Sequence, residues 1–186
     1  MSRLSWTLGL ALAFVGAAAA TAESPPEPNF GTPVSEAELA RYVAIAPNGT
    51  GLPSGRGDAA RGREVYLAKC VACHGAHLEG VKETGGLPLV GGRGTLASAK
   101  PLKIVESYWP YATTLFDYVR RAMPFNAPGS LSDDEVYSVA AYILAKGHVV
   151  AEDAELDAAS LLRVEMPNRQ GFYRDPRPFG AATTAR

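Results

Sequence analysis

Cys70, Cys73 and His74 are the residues best placed to do chemistry, because two thiols and an imidazole fall within one short stretch. They also account for every cysteine of the chain, which has 2. Two intervening residues hold the sulfurs at the separation of two vinyl groups on one porphyrin. The adjoining imidazole then sits beneath the metal. Cys-x-x-Cys-His is the c-type haem attachment sequence. One motif implies one covalent haem c, bonded through Cys70 and Cys73, with His74 as an axial ligand of the iron.

Other uses of these residues fit less well. A thioredoxin-like pair also reads Cys-x-x-Cys, but it needs a βαβ context and has no use for the histidine. A structural zinc site wants four ligands, and no second cysteine pair exists. No Ser/His/Asp set, glycine-rich phosphate loop or paired-carboxylate arrangement competes. Asp133-Asp134-Glu135 reads as acid in the first turn of a helix, where it suits the macrodipole.

The sixth iron ligand is sought among Met123, Met166, His77 and His148. His77 is too close to His74 in sequence to reach the far face. His148 reads as a solvated residue at a helix end. Met123 stands in Arg-Ala-Met-Pro-Phe, where a helix stops and proline turns the chain, far enough downstream to swing a thioether around the haem. Met166 is also followed by proline and is the rival, though it lies beyond the last helix of a minimal haem domain. Either methionine could instead fill a gap in the core.

The elements that must position these groups read as helices. Asp58 is an N-cap for a helix over residues 59–69, with Gly62, Val65, Tyr66 and Cys70 on one face. Gly62 costs about 1 kcal/mol of helix propensity against alanine, and a close helix crossing would explain it. A second helix follows Trp109, with Pro110 at its first position and Tyr111, Leu115, Tyr118, Val119 and Ala122 as its stripe. Arg120 and Arg121 lie near its end, and Pro124 stops it. Ser132 and Glu135 make a capping box for a third helix. Its stripe is Val136, Val139, Ala140, Ile143 and Leu144, and Gly147 ends it. Residues 75–108 are glycine-rich without periodicity, and no strand shows clear alternation. The fold class is all-α.

The chain has 186 residues, 18 Lys+Arg against 19 Asp+Glu, and a formal charge of -1. That length suits one domain with extensions. The balance gives no cationic surplus of the kind nucleic-acid partners require. Residues 1–22 read as a cleaved signal peptide. Arg3 precedes the apolar run Leu8 to Ala20, and Ala20-Thr21-Ala22 is the cleavage site. The run is short for a membrane span, so the mature protein is expected to be periplasmic with no span.

Laid out over residues 57–147, the chain resembles the class I cytochrome c family. Cys70, Cys73, His74 and Met123 match its motifs, and Gly62 and Tyr66 would face Tyr142 where first and last helices cross. More narrowly, five stretches look like the SoxD-like cytochrome subunits of Sox sulfane dehydrogenases and related sulfite dehydrogenases. They are residues 47–53, Tyr108 to Thr114, Arg120 to Phe125, Ser130 to Tyr137, and Met166-Pro167-Asn168-Arg169. The likeness covers roughly residues 29–175. Longer members carry two haems, whereas this chain has one attachment sequence. The resemblance implies a class I cytochrome c fold, Met123 as the sixth ligand, and Trp109 and Arg93 holding the haem propionates. A carbonyl near Leu87-Pro88 is expected to accept from His74 Nδ1.

The resulting organisation is a signal peptide over 1–22, a Pro-rich arm with one short helix over 23–56, a haem domain over 57–150 and a C-terminal extension with a polar tail over 151–186. Both flanks are expected to wrap the haem domain or lie on a partner. A Met/His-ligated iron has no open position and a raised potential, which suits electron transfer rather than catalysis. The expected role is a mono-haem, non-catalytic subunit accepting electrons from a periplasmic molybdopterin-containing sulfane or sulfite dehydrogenase. It would pass them to a downstream cytochrome or oxidase. The alternative is a freely diffusing periplasmic respiratory cytochrome. The exposed haem edge should be rimmed by Val71, Ala72 and the turn from Phe125 to Pro128, while Lys69, Lys82, Lys100 and Lys103 are scattered. That favours a stable, weakly salt-sensitive complex.

Overall fold

Asp58 begins the first long helix as its residue type suggests, with a side chain that accepts from the Arg61 N–H at 2.8 Å. The computed structural model describes residues 31–39, 44–173 and 176. The expected signal peptide and cleavage site, and most of the polar tail, lie outside the described residues. Among the described residues the helices are α1 (Glu36–Leu39), α2 (Ala59–Lys69), α3 (Val71–His74), α4 (Val105–Tyr108), α5 (Ala112–Ala122), α6 (Asp133–Lys146) and α7 (Ala158–Leu162). Two three-residue strands, β1 (Arg56–Asp58) and β2 (Glu155–Asp157), pair antiparallel with Gly57 opposite Leu156. The molecule is mostly helical, and no described helix is long and apolar enough to cross a membrane.

The core forms where α2 and α5 meet α6. Ser132 and Glu135 close the capping box of α6, and residues 136–145 are buried throughout. The crossing of α2 over α6 needs glycine. A Cβ at Gly62 would stand 1.9 Å from the Ser138 carbonyl oxygen and 2.8 Å from Tyr142 Cβ. One turn on, the Tyr66 and Tyr142 rings pack at 5.2 Å between centroids. Phe116 of α5 meets Tyr137 of α6 at 4.4 Å. Tyr137 then donates its hydroxyl to the Pro53 carbonyl at 2.9 Å. Burial pushes that phenol up to about 12.

Both flanks join this core. Ile45 is buried, and its N–H donates to Asp117 Oδ1 at 2.9 Å. Leu156, Leu161 and Met166 of the C-terminal extension are 3%, 1% and 2% exposed, buried with the core residues of α6. Asp157 caps α7 by accepting from the Ser160 N–H at 2.7 Å. The extension therefore wraps its own haem domain at least as far as Met166.

Three local readings are corrected. The second long helix begins at Ala112, not at Pro110, because Trp109 before the proline and Tyr111 after it are both extended. Tyr118 is 46% exposed and leaves the expected stripe, since Ala112, Leu115, Phe116 and Val119 carry the buried face. The β1–β2 pair was not legible, because strands of three residues show no alternation.

Candidate functional site

The attachment motif sits on one turn of helix set off from the end of α2. Cys70 ends α2 by donating its N–H to the Tyr66 carbonyl at 2.8 Å. Its backbone, at φ -122° and ψ -31°, leaves the helical path and re-starts it as α3. The Cys70 carbonyl accepts from the His74 N–H at 2.9 Å, which stacks His74 one turn above Cys70. The two cysteines are not joined in a disulfide; Cys70 is half-buried and Cys73 exposed. Burial, and then the neighbouring Cys73, pushes the Cys70 thiol up to about 11.

His74 is oriented from its far side. Its Nδ1 lies 2.8 Å from the Leu87 carbonyl oxygen. A carbonyl can only accept, so Nδ1 carries the proton and Nε2 is left with the lone pair that can bind a metal. The loop that delivers Leu87 is pinned to the motif itself. Gly80 N–H donates to the His74 carbonyl at 2.8 Å and Val81 N–H to the Cys73 carbonyl at 2.9 Å. Gly86 must be glycine, because a Cβ there would lie on the Cys73 carbonyl oxygen at 1.8 Å. From the other side, the buried Tyr66 hydroxyl donates to the Gly75 carbonyl at 2.7 Å. Burial raises that phenol well above its ordinary range.

The remaining candidates separate by environment. Met123 is the C-cap of α5, half-buried, with its N–H on the Val119 carbonyl. Met166 is 2% exposed and packed in the hydrophobic core. His77 and His148 are both exposed. His148 takes the left-handed conformation, φ 53°, just past Gly147, so α6 ends in a Schellman turn with Val149 N–H on the Leu144 carbonyl. Trp109 ends α4, half-buried, with its ring edge-on to Tyr118 at 5.7 Å. The Arg93 side chain reaches the C-terminal end of α6, where Nη2 donates to the Gly147 carbonyl at 2.5 Å. That uses one of the five guanidinium donors.

These groups fit a covalently bound haem. Two cysteines outside any disulfide, an imidazole with its Nδ1 already committed and a thioether at a helix end are the groups that covalent attachment and ligation of a haem require. Among the described residues, no cluster of three His, Cys, Asp or Glu side chains is arranged to hold a metal ion. Two features escaped the sequence reading. The Tyr66 hydroxyl bond is one, since Tyr66 read only as a stripe residue. The grip of residues 166–172 on α4 is the other, since Met166-Pro167-Asn168-Arg169 read as a resembling stretch with no contact assigned to it.

Comparisons with known proteins agree with this geometry. The Cytochrome c family model matches residues 59–146. Thiosulfate dehydrogenase of Stutzerimonas stutzeri (strain A1501) is 28% identical over 116 residues, which are 61% of this chain and 35% of that protein. Thiosulfate dehydrogenase of Allochromatium vinosum is 32% identical over 91 residues, 47% of this chain and 31% of that one. The chain thus spans about a third of the length of these curated relatives. The crystal structure of the sulfane dehydrogenase SoxCD from Paracoccus pantotrophus superposes with a TM-score of 0.71 at 36% identity, covering 81% of this chain and 74% of that chain. The chain belongs to the cytochrome c family, as an electron carrier with one covalent haem c that is related to the thiosulfate and sulfane dehydrogenase proteins.

Proposed function

We propose that this cytochrome is the electron-accepting subunit of a periplasmic, molybdenum-containing sulfane or sulfite dehydrogenase. The observation that carries the reading is the likeness to SoxCD at 36% identity over 81% of the chain. That coverage runs well past the 59–146 haem domain and into the flanking arms. A minimal soluble cytochrome has no need of such arms.

Each residue then has a defined task. Cys70 and Cys73 become the thioether anchors, and the α3 turn holds them on one side of the ring. His74 offers Nε2, fixed in direction by the Leu87 carbonyl at 2.8 Å. Met123, at the end of α5, would supply the second protein ligand to the iron through its sulfur. Trp109, with Arg93 beside it in the assignment, supplies donors for the propionates, whose charge needs partners near a protein interior. When bound, the haem supplies a one-electron ferric/ferrous couple. With His74 and Met123 both holding the iron, the chain would move electrons and leave the bond-making to its partner.

Affinity purification of the tagged, mature protein from native periplasm tests the reading. Recovery of a stoichiometric second subunit, with molybdenum found by metal analysis, is the expected result. Recovery of a monomeric cytochrome without molybdenum would instead establish the freely diffusing carrier.

A further inference from the structure

We infer that residues 166–172 form a latch that orients Trp109, with Asn168 as the positioning residue. The inference rests on the assignment of Trp109 to the haem propionates.

The latch holds the residues on either side of the Trp109-Pro110 pair. Asn168 Nδ2 donates to the Tyr108 carbonyl at 2.8 Å, in a partly buried setting. Tyr108 is the last residue of α4, and a helix of that length offers its terminal carbonyls no intrahelical partner. Phe172 meets the Tyr108 ring edge-on at 5.1 Å between centroids. The Arg169 guanidinium lies 4.3 Å from the centre of the Tyr111 ring. Met166, buried to 2%, anchors the segment in the core.

Asn168 is itself held in place. The chain turns around it, with Arg169 N–H on the Met166 carbonyl at 2.9 Å and Gly171 N–H on the Asn168 carbonyl at 3.0 Å. A Cβ at Gly171 would stand 1.8 Å from Asn168 Oδ1. Residue 171 must therefore be glycine for the amide to keep its present position. On the other side, Tyr118 closes against the Trp109 ring. The indole is thus set between α5 and a backbone whose exit from α4 is fixed by Asn168. Without that donor the Tyr108 carbonyl loses its partner, and the extended link at Trp109 is free to shift.

The sign of the effect follows from charge. A propionate that loses its indole donor keeps more negative charge near the iron, which favours the ferric state and lowers the reduction potential. The test is a double-mutant cycle read as reduction potential on the purified, haem-loaded full chain. Asn168→Leu keeps the shape of the side chain and removes the donor without adding charge. It should lower the potential while the near-infrared methionine-to-iron band persists. Trp109→Phe should lower it as well, and Asn168→Leu should shift it no further in the Trp109→Phe background. Full additivity, or an Asn168→Leu potential equal to wild type beside a shifted Trp109→Phe, overturns the latch. An unshifted Trp109→Phe overturns the propionate assignment on which the latch rests. If Asn168→Leu fails to load haem, Gly171→Ala displaces the same amide and takes its place in the cycle, with the same outcomes.

Discussion

Gly62 lies against the backbone of Ser138 so closely that a single added carbon would stand 1.9 Å from the Ser138 carbonyl oxygen. The obstacle is main chain inside α6, which cannot rotate away as a side chain would. Gly62→Ala gains about 1 kcal/mol of helix propensity. Overpacking of this kind costs about 1–3 kcal/mol, and more where the neighbour cannot yield. The variant should be destabilised by about 2 kcal/mol, measured as a lower guanidinium midpoint of the haem-loaded protein at unchanged slope. Equal midpoints would mean that α2 and α6 can part without cost.

The two methionines separate by experiment. Met123 is half-buried at the end of α5, whereas Met166 is embedded beside Leu161 in the core. Ferric Met123→Ala should lose the weak near-infrared band of sulfur-to-iron charge transfer. Met166→Ala should keep the band and lose about 2–5 kcal/mol of stability through the cavity it leaves. The opposite pattern would transfer the sixth ligand to the extension.

Asp117 gives the fold a dependence on acid. Asp117 is 8% exposed, and its carboxylate accepts from the Ile45 N–H at 2.9 Å and from Arg121 Nε at 2.9 Å. Burial alone would raise its pKa, but the Arg121 guanidinium and the Ile45 N–H outweigh burial and hold it below the usual carboxylate value of 3.8. A carboxyl depressed in the folded state stabilises fully above its unfolded pKa, and that contribution fades as pH falls through the folded pKa. Asp117→Asn should therefore cost about 1–2 kcal/mol at neutral pH. The deficit should shrink steadily below about pH 4. Unfolding curves from pH 7 down to 2.5 would reveal it, and a deficit independent of pH would assign the loss to packing alone.

What the sequence made legible was local or periodic. Asp58, Ser132 and Glu135 announce helix starts because capping needs only a side chain and an N–H three residues away. Gly62 announced the helix crossing because glycine inside a helix is costly unless something lies close. The His74–Leu87 bond was legible because the attachment motif demands a partner for Nδ1. Contacts between distant residues left no comparable trace. The pairing of Gly57 with Leu156, the burial of Met166 and the bond from Asn168 to Tyr108 join residues far apart in sequence, and none imposes a period on the chain. Tyr118 misled because helical spacing locates a stripe but not its edges, and Tyr118 falls on the edge that meets Trp109.

The packing of the extension changes how its part in docking must be tested. Removing residues 160–186 would strip Leu161 and Met166 from the core, so loss of partner binding would report unfolding. The exposed apolar side chains beside His74 and Met123, the proposed iron ligands, offer a cleaner probe. Phe125, two residues beyond Met123, is 85% exposed, and Leu87, whose carbonyl holds His74, is 68% exposed. The two arginines just before Met123 are already paired, Arg120 with Asp133 at 2.7 Å and Arg121 with Asp117. A surface of this kind should bind by burying apolar area and not by long-range charge, so the affinity for the dehydrogenase subunit should fall little as salt rises. Burying a phenylalanine contributes about 1.5–3 kcal/mol, and Phe125→Ser should weaken the complex about ten- to a hundredfold. Its haem spectrum should match wild type, because the side chain stands in solvent. Affinities measured between 50 and 500 mM salt, for wild type and Phe125→Ser, decide the matter. Steep loss with salt and no effect of Phe125→Ser would place docking on a charged face and support a transient, steered encounter.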